Sequence, residues 1–341
     1  MNHDFWSGKK VFITGVCGTV GSALLEQLAV VSGIEEIIGI DNNESELFFL
    51  DQHYRHDARC RFYLCDIKER DQLKSLMKGV DYVLHAAARK HVIINEISPT
   101  EAIYTNIVGT QNVIDAALSA EVEKVIFTSS DKAVNPTNVM GTSKLMGERL
   151  MTAANAATRG QYPIFASTRF GNVLGSNGSV IPIFKRQVEN KENITLTDPA
   201  MTRFVMTVEE AAALVLQSVE LAKGGEVFVT KMPIIGIEDL AKAIIEIYKE
   251  EGYTHETKIE VIGAKPGEKM WEELINEEEV RRTIEIDDFF AVLPAFKGVY
   301  IDEEYNYSEE QKPVDQTYRS DHGNAMSVPD LIKYLKTKNL I

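Results

Sequence analysis

Residues that can transfer protons are concentrated between Ser130 and Lys144. Asp131 and Lys132 follow a short apolar run and offer a carboxyl and an amine as general acid and base. For those roles the acid must hold its proton and the lysine must be neutral, opposite to their usual charges at pH 7. Burial favours the uncharged forms of carboxyls and amines, whereas an ion pair opposes them. We therefore expect these two side chains to diverge within the site.

Three glycines form a second feature with chemical meaning. Residues 14–21 read TGVCGTVG, between an apolar run and an amphipathic segment, so Gly15, Gly18 and Gly21 are evenly spaced. Glycine lets the backbone turn tightly and approach a pyrophosphate, whose charge is stabilised by a helix N-terminus. Gly21 would also permit close packing of helix on strand. The pattern predicts the phosphate-binding turn of a dinucleotide site.

Acidic residues near the ends of the next apolar runs extend this prediction. Asp41 lies 20 residues after Gly21, where a carboxylate can accept hydrogen bonds from ribose hydroxyls. A carboxylate there repels a 2′-phosphate, so NAD is favoured, while Asn42 keeps NADP possible. Asp66, followed by Ile67, could meet the adenine amino group. Small residues that allow close packing against a cofactor follow the fourth run, at Ala86, Ala87 and Ala88.

These residues need a scaffold, and the sequence predicts alternating strands and helices. Short apolar runs separated by plausible helices are typical of parallel strands covered on both faces. The predicted strands are 10–14, 36–40, 61–65, 81–85 and 124–128, with a helix around 20–31. The alternation predicts an α/β fold with a doubly wound parallel Rossmann sheet.

The second half of the chain is less regular, with frequent Gly, Asn and Pro. A helix at 207–223 and a strand at 226–230 are expected to return to the first lobe. We therefore predict a NAD(P)-binding domain at 1–172 plus about 205–232. A smaller, discontinuous substrate lobe would take about 173–204 and 233–330, with the end of a C-terminal helix at 331–341. The crevice at the carboxyl ends of the strands is where open α/β sheets bind ligands.

Composition excludes several functions. The 341 residues include 36 basic and 51 acidic side chains, a net charge of −15 that disfavours nucleic acid and anionic membranes. No apolar run approaches the ~18 residues of a membrane span, and the first ten residues show no signal core. Cys17, Cys60 and Cys65 follow no metal-ligand spacing. We expect reduced thiols, no metal and a cytoplasmic protein.

Sequence words spread over about three quarters of the chain resemble one enzyme family. Between residues 14 and 269 they read, in order, TGVCGTVG, HAAARKHV, SSDKAVNPTNVMGTSK, RFGNVLGSNGSVIPIF, DPAMTRFVMT and KPGEK. They resemble the UDP-N-acetylglucosamine 4,6-dehydratases of bacterial surface-sugar synthesis, in the extended short-chain dehydrogenase/reductase superfamily. Met140 stands where most of that superfamily has the tyrosine of a YxxxK pair, and methionine cannot carry a proton. Some branches of these dehydratases are similar in having methionine there.

The resemblance implies a reaction that recycles NAD(P). Hydride leaves sugar C4, the resulting ketone acidifies the C5 proton, water is eliminated across C5 and C6, and hydride returns to C6. The product would be a UDP-linked 4-keto-6-deoxy amino sugar. We assign the C5 base to Lys132 and the C6 acid to Asp131, with Lys144 at the nicotinamide ribose. The C4 hydroxyl proton has two candidate acceptors, Asp131 and a water held by Ser130 and Lys144.

Alternative reactions stay open on the sequence alone. The SSDK and RFGNVLGS wording favours retention of configuration at C5, with inversion as the first alternative. A nucleotide-sugar 4-epimerase needs no C5 base or C6 acid and normally has tyrosine at position 140. A non-catalytic NAD(P)-binding sensor would explain Met140 as a degraded site, but the retained Asp131, Lys132 and Lys144 argue against it.

The resemblance also implies binding residues. Asn172 matches a position that contacts the nucleotide-sugar phosphates, Arg203 is the best candidate to pair with the diphosphate, and Glu268 resembles the acceptor for the uridine ribose. Further substrate contacts are expected at Lys90 and at the helix N-terminus opened by Ser179 and Val180. The expected cofactor contacts are Gly15, Val16, Gly18, Thr19, Val20, Gly21, Asp41, Asn42, Asp66, Ile67, Ala86, Ala87, Ala88, Asn106 and Lys144.

Two expectations concern parts of the chain outside these motifs. Family members form dimers and larger assemblies, so the resemblance implies a homo-oligomer. The stretch 302–327 is either an ordered flap or a partner contact, and the sequence does not choose between them.

Overall fold

The computed structural model describes residues 2–176, 178–263, 267–295, 305–308 and 310–341. The strands are β1 (Lys10–Thr14), β2 (Glu36–Asp41), β3 (Cys60–Leu64), β4 (Tyr82–His85), β5 (Lys124–Ser130), β6 (Ile164–Phe170), β7 (Asn172–Val173), β8 (Ile194–Leu196), β9 (Thr202–Met206), β10 (Val227–Thr230), β11 (Ile234–Gly236), β12 (Ile259–Val261), β13 (Glu273–Ile275), β14 (Thr283–Ile286), β15 (Phe289–Val292), β16 (Lys312–Pro313) and β17 (Tyr318–Arg319).

The helices alternate with these strands through the first half of the chain. They are α1 (Thr19–Ala29), α2 (Glu44–Tyr54), α3 (Arg70–Leu76), α4 (Val92–Ile97), α5 (Pro99–Ala102), α6 (Gly109–Ala120), α7 (Val139–Thr158), α8 (Val180–Glu189), α9 (Val208–Leu221), α10 (Ile237–Glu250), α11 (Glu277–Val280) and α12 (Val328–Thr337). A π-helical segment (Ile103–Val108) joins α5 to α6, and a 3₁₀ turn (Asp131–Ala133) follows β5.

A ten-stranded sheet forms the centre of the fold. Its strand order is β16-β14-β15-β10-β6-β5-β4-β1-β2-β3. Neighbouring strands from β3 to β10 are parallel. Strands β15, β14 and β16 continue the sheet in antiparallel pairing. The run 3-2-1-4-5-6 is the Rossmann order, which confirms the predicted fold class.

The alternation of side chains explains why β1 reads as a continuous apolar run. Val11 and Ile13 enter one hydrophobic core, and Phe12 enters a second core on the other face of the sheet. Helices cover both faces, with α1 packed against α9 on one side and α3 against α6 on the other. A strand buried on both faces therefore needs apolar residues at every position.

The end of the chain departs from the predicted division into lobes. Strands β14, β15 and β16 lie in residues assigned to the substrate lobe, yet they hydrogen-bond into the central sheet. Without them β10 would be an exposed edge of the sheet, and pairing removes that edge. Helix α12 packs on α10, with Leu331 and Leu335 in the core of the smaller lobe.

Arg169 forms a buried ion network between the sheet and the segment that follows β13. Its guanidinium donates to both carboxylate oxygens of Glu148 on α7, at 2.9 and 2.8 Å. It also donates to both oxygens of Glu279 on α11, at 2.8 Å each, and to the carbonyl of Leu274 at 2.9 Å. Because the three charged groups are buried together, each depends on its partners being present.

The described residues contain neither a membrane-spanning helix nor a cluster of metal ligands. No helix there combines the length and apolar composition that crossing a bilayer requires. No group of three or more His, Cys, Asp or Glu side chains there could hold a metal ion.

Candidate active site

A cavity of about 260 Å³ lies where β1, β2, β3 and β4 end. The strand order reverses between β1 and β4, and such switch points are where doubly wound sheets bind dinucleotides. Among the predicted cofactor contacts, those that line the cavity are Gly15, Gly18, Asp41, Asn42, Asp66, Ile67, Ala86, Ala87 and Ala88. Cys17, Arg89 and Thr105, for which no cofactor contact was predicted, line it as well.

The glycine turn admits no larger side chain at its key positions. Gly15 has φ +70°, and a Cβ there would lie 2.7 Å from the Cα of Ala87. A Cβ on Gly21 would overlap the carbonyl of Gly15. No side chain among the described residues caps α1 at Gly18, so the first-turn N–H groups of Thr19 and Val20 remain for an anion.

The two carboxylates of the cavity are each held by two hydrogen bonds. Asp41 accepts from the backbone N–H groups of Cys17 and Asn43, each at 3.0 Å. Asp66 accepts from the Asn42 amide at 3.0 Å and from the Lys68 N–H at 2.9 Å. Partial burial raises the pKa of Asp66, but these two donors and the Lys68 charge outweigh it and lower the pKa. The second carboxylate is therefore anionic at neutral pH.

A buried hydrogen-bond chain fixes the loop after β4. The Ala87 N–H donates to Thr14 Oγ1 at 3.2 Å, and Thr14 Oγ1 lies 2.7 Å from His85 Nδ1. His85 Nε2 lies 3.1 Å from Thr110 Oγ1, which donates to the carbonyl of Asn106 at 2.7 Å. Thr110 must therefore accept from Nε2–H, so His85 is the neutral Nε2 tautomer. Burial, with the nearby Lys144 charge, lowers its pKa to about 3.

Two expected cofactor contacts have partners elsewhere in the protein. Asn106 is buried, donates to the Arg89 carbonyl at 3.0 Å and to Ser143 Oγ at 2.8 Å, and accepts from the Arg89 N–H at 2.7 Å. Its amide thus holds the cavity loop to α7 rather than facing the cavity. Val16 is also buried, beneath the glycine turn and against Gly39. Both residues shape the site from behind.

Asp131 and Lys132 do not diverge as expected. Lys132 Nζ lies 3.0 Å from Asp131 Oδ1, which also accepts from Ser130 Oγ at 2.7 Å. Burial lowers the pKa of Lys132, but the charges of Asp131 and Glu272 outweigh it and raise the pKa. The lysine is therefore an ammonium in the ligand-free protein. Asp131 Oδ2 is buried and has no hydrogen-bond partner among the described residues.

Glu272 also belongs to this charged cluster, although no role was predicted for it from the sequence. Its Oε1 lies 3.6 Å from Lys132 Nζ and 3.8 Å from Arg203 Nε. Burial raises the pKa of this carboxyl although Lys132 and Arg203 lower it. The available signal was the pair Glu272-Glu273 shortly after the KPGEK word, where the family resemblance pointed to Glu268 instead. Lys265 and Pro266 of that word lie outside the described residues.

Met140 and Lys144 lie on α7, whose first turn packs against the 3₁₀ turn. Gly141 permits that approach, because a Cβ there would overlap the carbonyl of Lys132. Met140 is buried and Lys144 Nζ donates to the carbonyl of Thr128 at 2.7 Å. Burial lowers the pKa of Lys144 to about 8, partly offset by Glu148.

The predicted substrate residues are only partly brought together. Asn172 Oδ1 accepts from Lys132 Nζ at 3.4 Å, so it joins the acid–base cluster. Arg203 donates to the carbonyls of Thr202 at 2.7 Å and Lys269 at 2.8 Å, so its guanidinium organises the 269–272 segment here. Ser179 precedes Val180 at the start of α8, and its hydroxyl is buried without a hydrogen-bond partner among the described residues. Lys90 and Glu268 are exposed.

Part of the 302–327 stretch is an ordered strand against the site. Strand β17 pairs with β13, and the Tyr318 hydroxyl accepts from the Met232 N–H at 2.7 Å. Ser320 is fully buried and bonds the backbone of Glu272. Residues 302–304 and 309 lie outside the described ranges. The segment from Tyr318 to Ser320 is therefore a support for Glu272.

The fold and the cavity are those of a Rossmann protein that binds a dinucleotide, and the relatives place it among the nucleotide-sugar dehydratases and epimerases. A family model described as polysaccharide biosynthesis protein matches residues 11–294. The chain belongs to this family.

Relatives and solved structures agree with that assignment. UDP-N-acetylglucosamine 4,6-dehydratase (inverting) from Campylobacter jejuni is 36% identical over 88% of this chain and 86% of its own. UDP-glucose 4-epimerase from Rickettsia bellii is 38% identical over 83% and 82%. The X-ray structure of Pen from Bacillus thuringiensis is 39% identical, covers 99% of both chains and has a TM-score of 0.91. DesIV, a dTDP-glucose 4,6-dehydratase from Streptomyces venezuelae solved with NAD, shares the fold at 18% identity, covering 96% and 97% with a TM-score of 0.67.

The names of these relatives bear on the stereochemical expectation. The Campylobacter dehydratase is named as inverting, which favours the alternative over the retention that the sequence wording suggested. The Rickettsia relative, in contrast, is named as a 4-epimerase.

Proposed function

We propose that the protein is a UDP-N-acetylglucosamine 4,6-dehydratase that uses NAD. The observation that carries the proposal is the pair formed by buried Asp131 and partly exposed Lys132 at the end of β5, with Asp131 Oδ2 lacking a hydrogen-bond partner among the described residues. A 4,6-dehydration needs an acid and a base at the sugar in addition to the cofactor. The identity to a Campylobacter dehydratase supports UDP-N-acetylglucosamine as substrate.

The cavity residues fit a dinucleotide. The glycine turn and the uncapped start of α1 suit the pyrophosphate, and Asp41 and Asp66 suit the adenosine ribose and the adenine amino group. A bound nicotinamide would supply the hydride acceptor and donor for C4 and C6. Asp41 would repel a 2′-phosphate, so NAD is proposed over NADP.

Asp131 would carry one proton from the oxidation at C4 to the loss of water at C6. Its Oδ1 is engaged by Ser130 and Lys132, which leaves the buried Oδ2 to meet substrate hydroxyls. We assign to Asp131 the proton of the C4 hydroxyl, which it then gives to the C6 hydroxyl as that group departs as water. Met140 cannot take part because a thioether holds no exchangeable proton. The carboxyl is thus an acceptor first and an acid second.

Lys132 would become a base only after Asp131 is protonated. In the resting protein the carboxylate 3.0 Å away stabilises the ammonium. When Asp131 takes the C4 proton, that counter-charge is lost and the pKa of Lys132 falls. The ammonium can then pass its proton to an acceptor outside the pair. The amine that remains removes the C5 proton, which the neighbouring ketone has acidified. The sequence led us to expect that the two side chains diverge. Their ion pair would instead keep the base inactive until C4 is oxidised.

For the configuration at C5 we propose inversion. The name of the Campylobacter relative supports it, and nothing in the described contacts of Lys132 opposes it. A 4-epimerase is the second candidate, supported by the 38% identity to the Rickettsia relative. Against it, Met140 lacks the proton that an epimerase needs at that position.

A homo-oligomer and a cytoplasmic location stay proposals. Exposed apolar side chains on α4 and the π-helical segment support the first, namely Ile93, Ile94, Ile97 and Tyr104. The net charge of −15 supports a protein that binds neither nucleic acid nor an anionic membrane surface.

Proton NMR of purified protein with NAD and UDP-N-acetylglucosamine tests the proposal. A new C6 methyl signal indicates the dehydratase, a galacto product indicates an epimerase, and an unchanged substrate indicates a non-catalytic binding protein. In deuterium oxide, the label at C5 and the ring couplings distinguish inversion from retention. Lys132→Ala should abolish the methyl signal, while Lys333→Ala, on the exposed side of α12, serves as the matched control.

A further inference from the structure

Lys132 is held between two carboxylates rather than one. Asp131 Oδ1 lies 3.0 Å and Glu272 Oε1 lies 3.6 Å from its Nζ. The side chain of Glu272 is 3% exposed, and its Oε2 is buried without a hydrogen-bond partner among the described residues. A buried carboxylate oxygen with no donor is costly in a resting protein. Such an oxygen suits a group that changes protonation state or partner during a reaction.

The backbone holds Glu272 firmly in this position. Its N–H donates to Ser320 Oγ and its carbonyl accepts from the Ser320 N–H, each at 2.9 Å. Ser320 is fully buried and lies 2.8 Å from Thr202 Oγ1 on β9. Ser320 thus fixes Glu272 to the segment after β17 and to β9, with the Glu272 carboxylate 3.6 Å from the amine of Lys132.

The charges that face Glu272 come from three elements. Lys132 and Asp131 lie on the 3₁₀ turn, Arg203 on β9, and Lys269 on the preceding segment. Burial and the Asp131 charge raise the pKa of Glu272, and the three cations lower it. When Asp131 becomes neutral, Lys132 is left with Glu272 as its nearest carboxylate. A proton can then pass between Lys132 Nζ and Glu272 Oε1, which lie 3.6 Å apart.

Resting on the dehydratase reaction proposed above, we propose that Glu272 acts through Lys132 by accepting its ammonium proton, which makes the amine the base at C5. An Nζ–H bond breaks and a carboxyl O–H bond forms on Glu272. The freed electron pair on Nζ takes the C5 proton, and the electrons of the C5–H bond enter the enolate. When Lys132 later protonates C5, Glu272 returns its proton to Nζ. The cluster ends with the protons it began with.

Without Glu272 the ammonium proton must leave to water. The Lys132 side chain is 26% exposed, so this route exists, but its rate depends on the fraction of free amine at each pH. A carboxylate relay removes that dependence over the range in which Glu272 stays ionised in the resting enzyme. The relay therefore has a signature in the pH profile that a purely structural role lacks.

The test compares Glu272→Gln with Glu273→Gln. Glu273 is the adjacent carboxylate, but it accepts from Asn135 at 2.7 Å, and the carboxylates that act on Lys132 are those of Asp131 and Glu272. For Glu272→Gln we expect kcat at pH 7 to fall by roughly 100- to 10,000-fold, the usual contribution of a proton-transfer group, with little change in KM. The loss should shrink about tenfold per pH unit as the solution becomes more basic. The matched variant should keep the profile of the natural protein.

Two further measurements keep the inference testable. Substrate deuterated at C5 should show a larger isotope effect on kcat in Glu272→Gln, because C5 deprotonation becomes rate-limiting. In the ligand-free protein, acetylation of Lys132 should begin at lower pH in this variant, since one counter-charge is gone. If the glutamine variant does not fold, Glu272→Asp keeps a carboxylate and should keep the flat pH profile at reduced rate.

The outcomes separate this inference from the function on which it rests. If the natural protein dehydrates the substrate but Glu272→Gln keeps its rate, or loses the same factor at every pH, the relay is wrong and the dehydratase stands. If Glu272→Asp shows the steep profile expected of glutamine, the relay is also wrong. If the natural protein forms no 4-keto product, both proposals are overturned.

Discussion

The ion pair between Asp131 and Lys132 leads to a measurable change when it is removed. In Asp131→Asn the amide keeps the size of the side chain and can still accept from Ser130, but it carries no charge. Two unit charges 3.0 Å apart interact by about 5.5 kcal/mol at an effective dielectric constant of 20. Partial exposure of Lys132 reduces this, and Glu272 still contributes at 3.6 Å. We expect the pKa of Lys132 to fall by at least about one unit, or ~1.4 kcal/mol.

The assay is competitive acetylation of the ligand-free protein at a series of pH values. Limiting reagent modifies each lysine in proportion to its free amine, and mass spectrometry of peptides gives one titration curve per lysine. The curve of Lys132 should move to lower pH in Asp131→Asn, while that of exposed Lys333 stays unchanged. Asp81→Asn is the matched control, because it removes a charge 3.8 Å from Lys9 and none near Lys132. An unmoved Lys132 curve in Asp131→Asn would refute the electrostatic reasoning.

Three further predictions concern residues around the site. Met140→Leu should keep kcat within a few-fold, because we assign only packing to Met140, and a loss of several hundredfold would contradict that. Arg169→Met should cost roughly 3–5 kcal/mol in urea unfolding, since it strands two buried carboxylates, and a cost near zero would show that the network is dispensable. His85 has its folded pKa lowered to about 3, so the unfolded chain binds a proton first on acidification and stability is lost below about pH 6.5. The free energy of unfolding should therefore differ less between pH 7 and pH 5 in His85→Gln than in the natural protein.

Local patterns in the sequence predicted the cofactor half of the molecule. The first strand, 10–14, has the predicted bounds, and the next four differ by one or two residues at their ends. Buried parallel strands are recognisable in a sequence as apolar runs, and the glycine turn directly follows one of these runs. Residues that follow consecutive strands meet at one edge of the sheet, which is why Asp41, Asp66 and Ala86 were found together.

The charge state of the site depends on contacts that no local pattern records. Glu272 reaches Lys132 only because β13 and β17 bring the 269–272 segment over the 3₁₀ turn. Neighbours such as Asp131 and Lys132 can point together or apart, and the tight turn directs both side chains to the same side. The pairing of β14, β15 and β16 with the central sheet, which covers the edge of β10, likewise depends on tertiary packing.

The path of the chain between the central sheet and the smaller lobe limits how the enzyme can move. The chain leaves the sheet after β6, returns as β10, leaves again, returns as β14 and β15, and ends in the smaller lobe as α12. A hinge between the lobes would have to bend at all of these crossings at once. Neither lobe is formed by one continuous stretch of chain, so neither can be excised as a self-sufficient fragment. A chain truncated after β6 should therefore fail to give a cooperative unfolding transition.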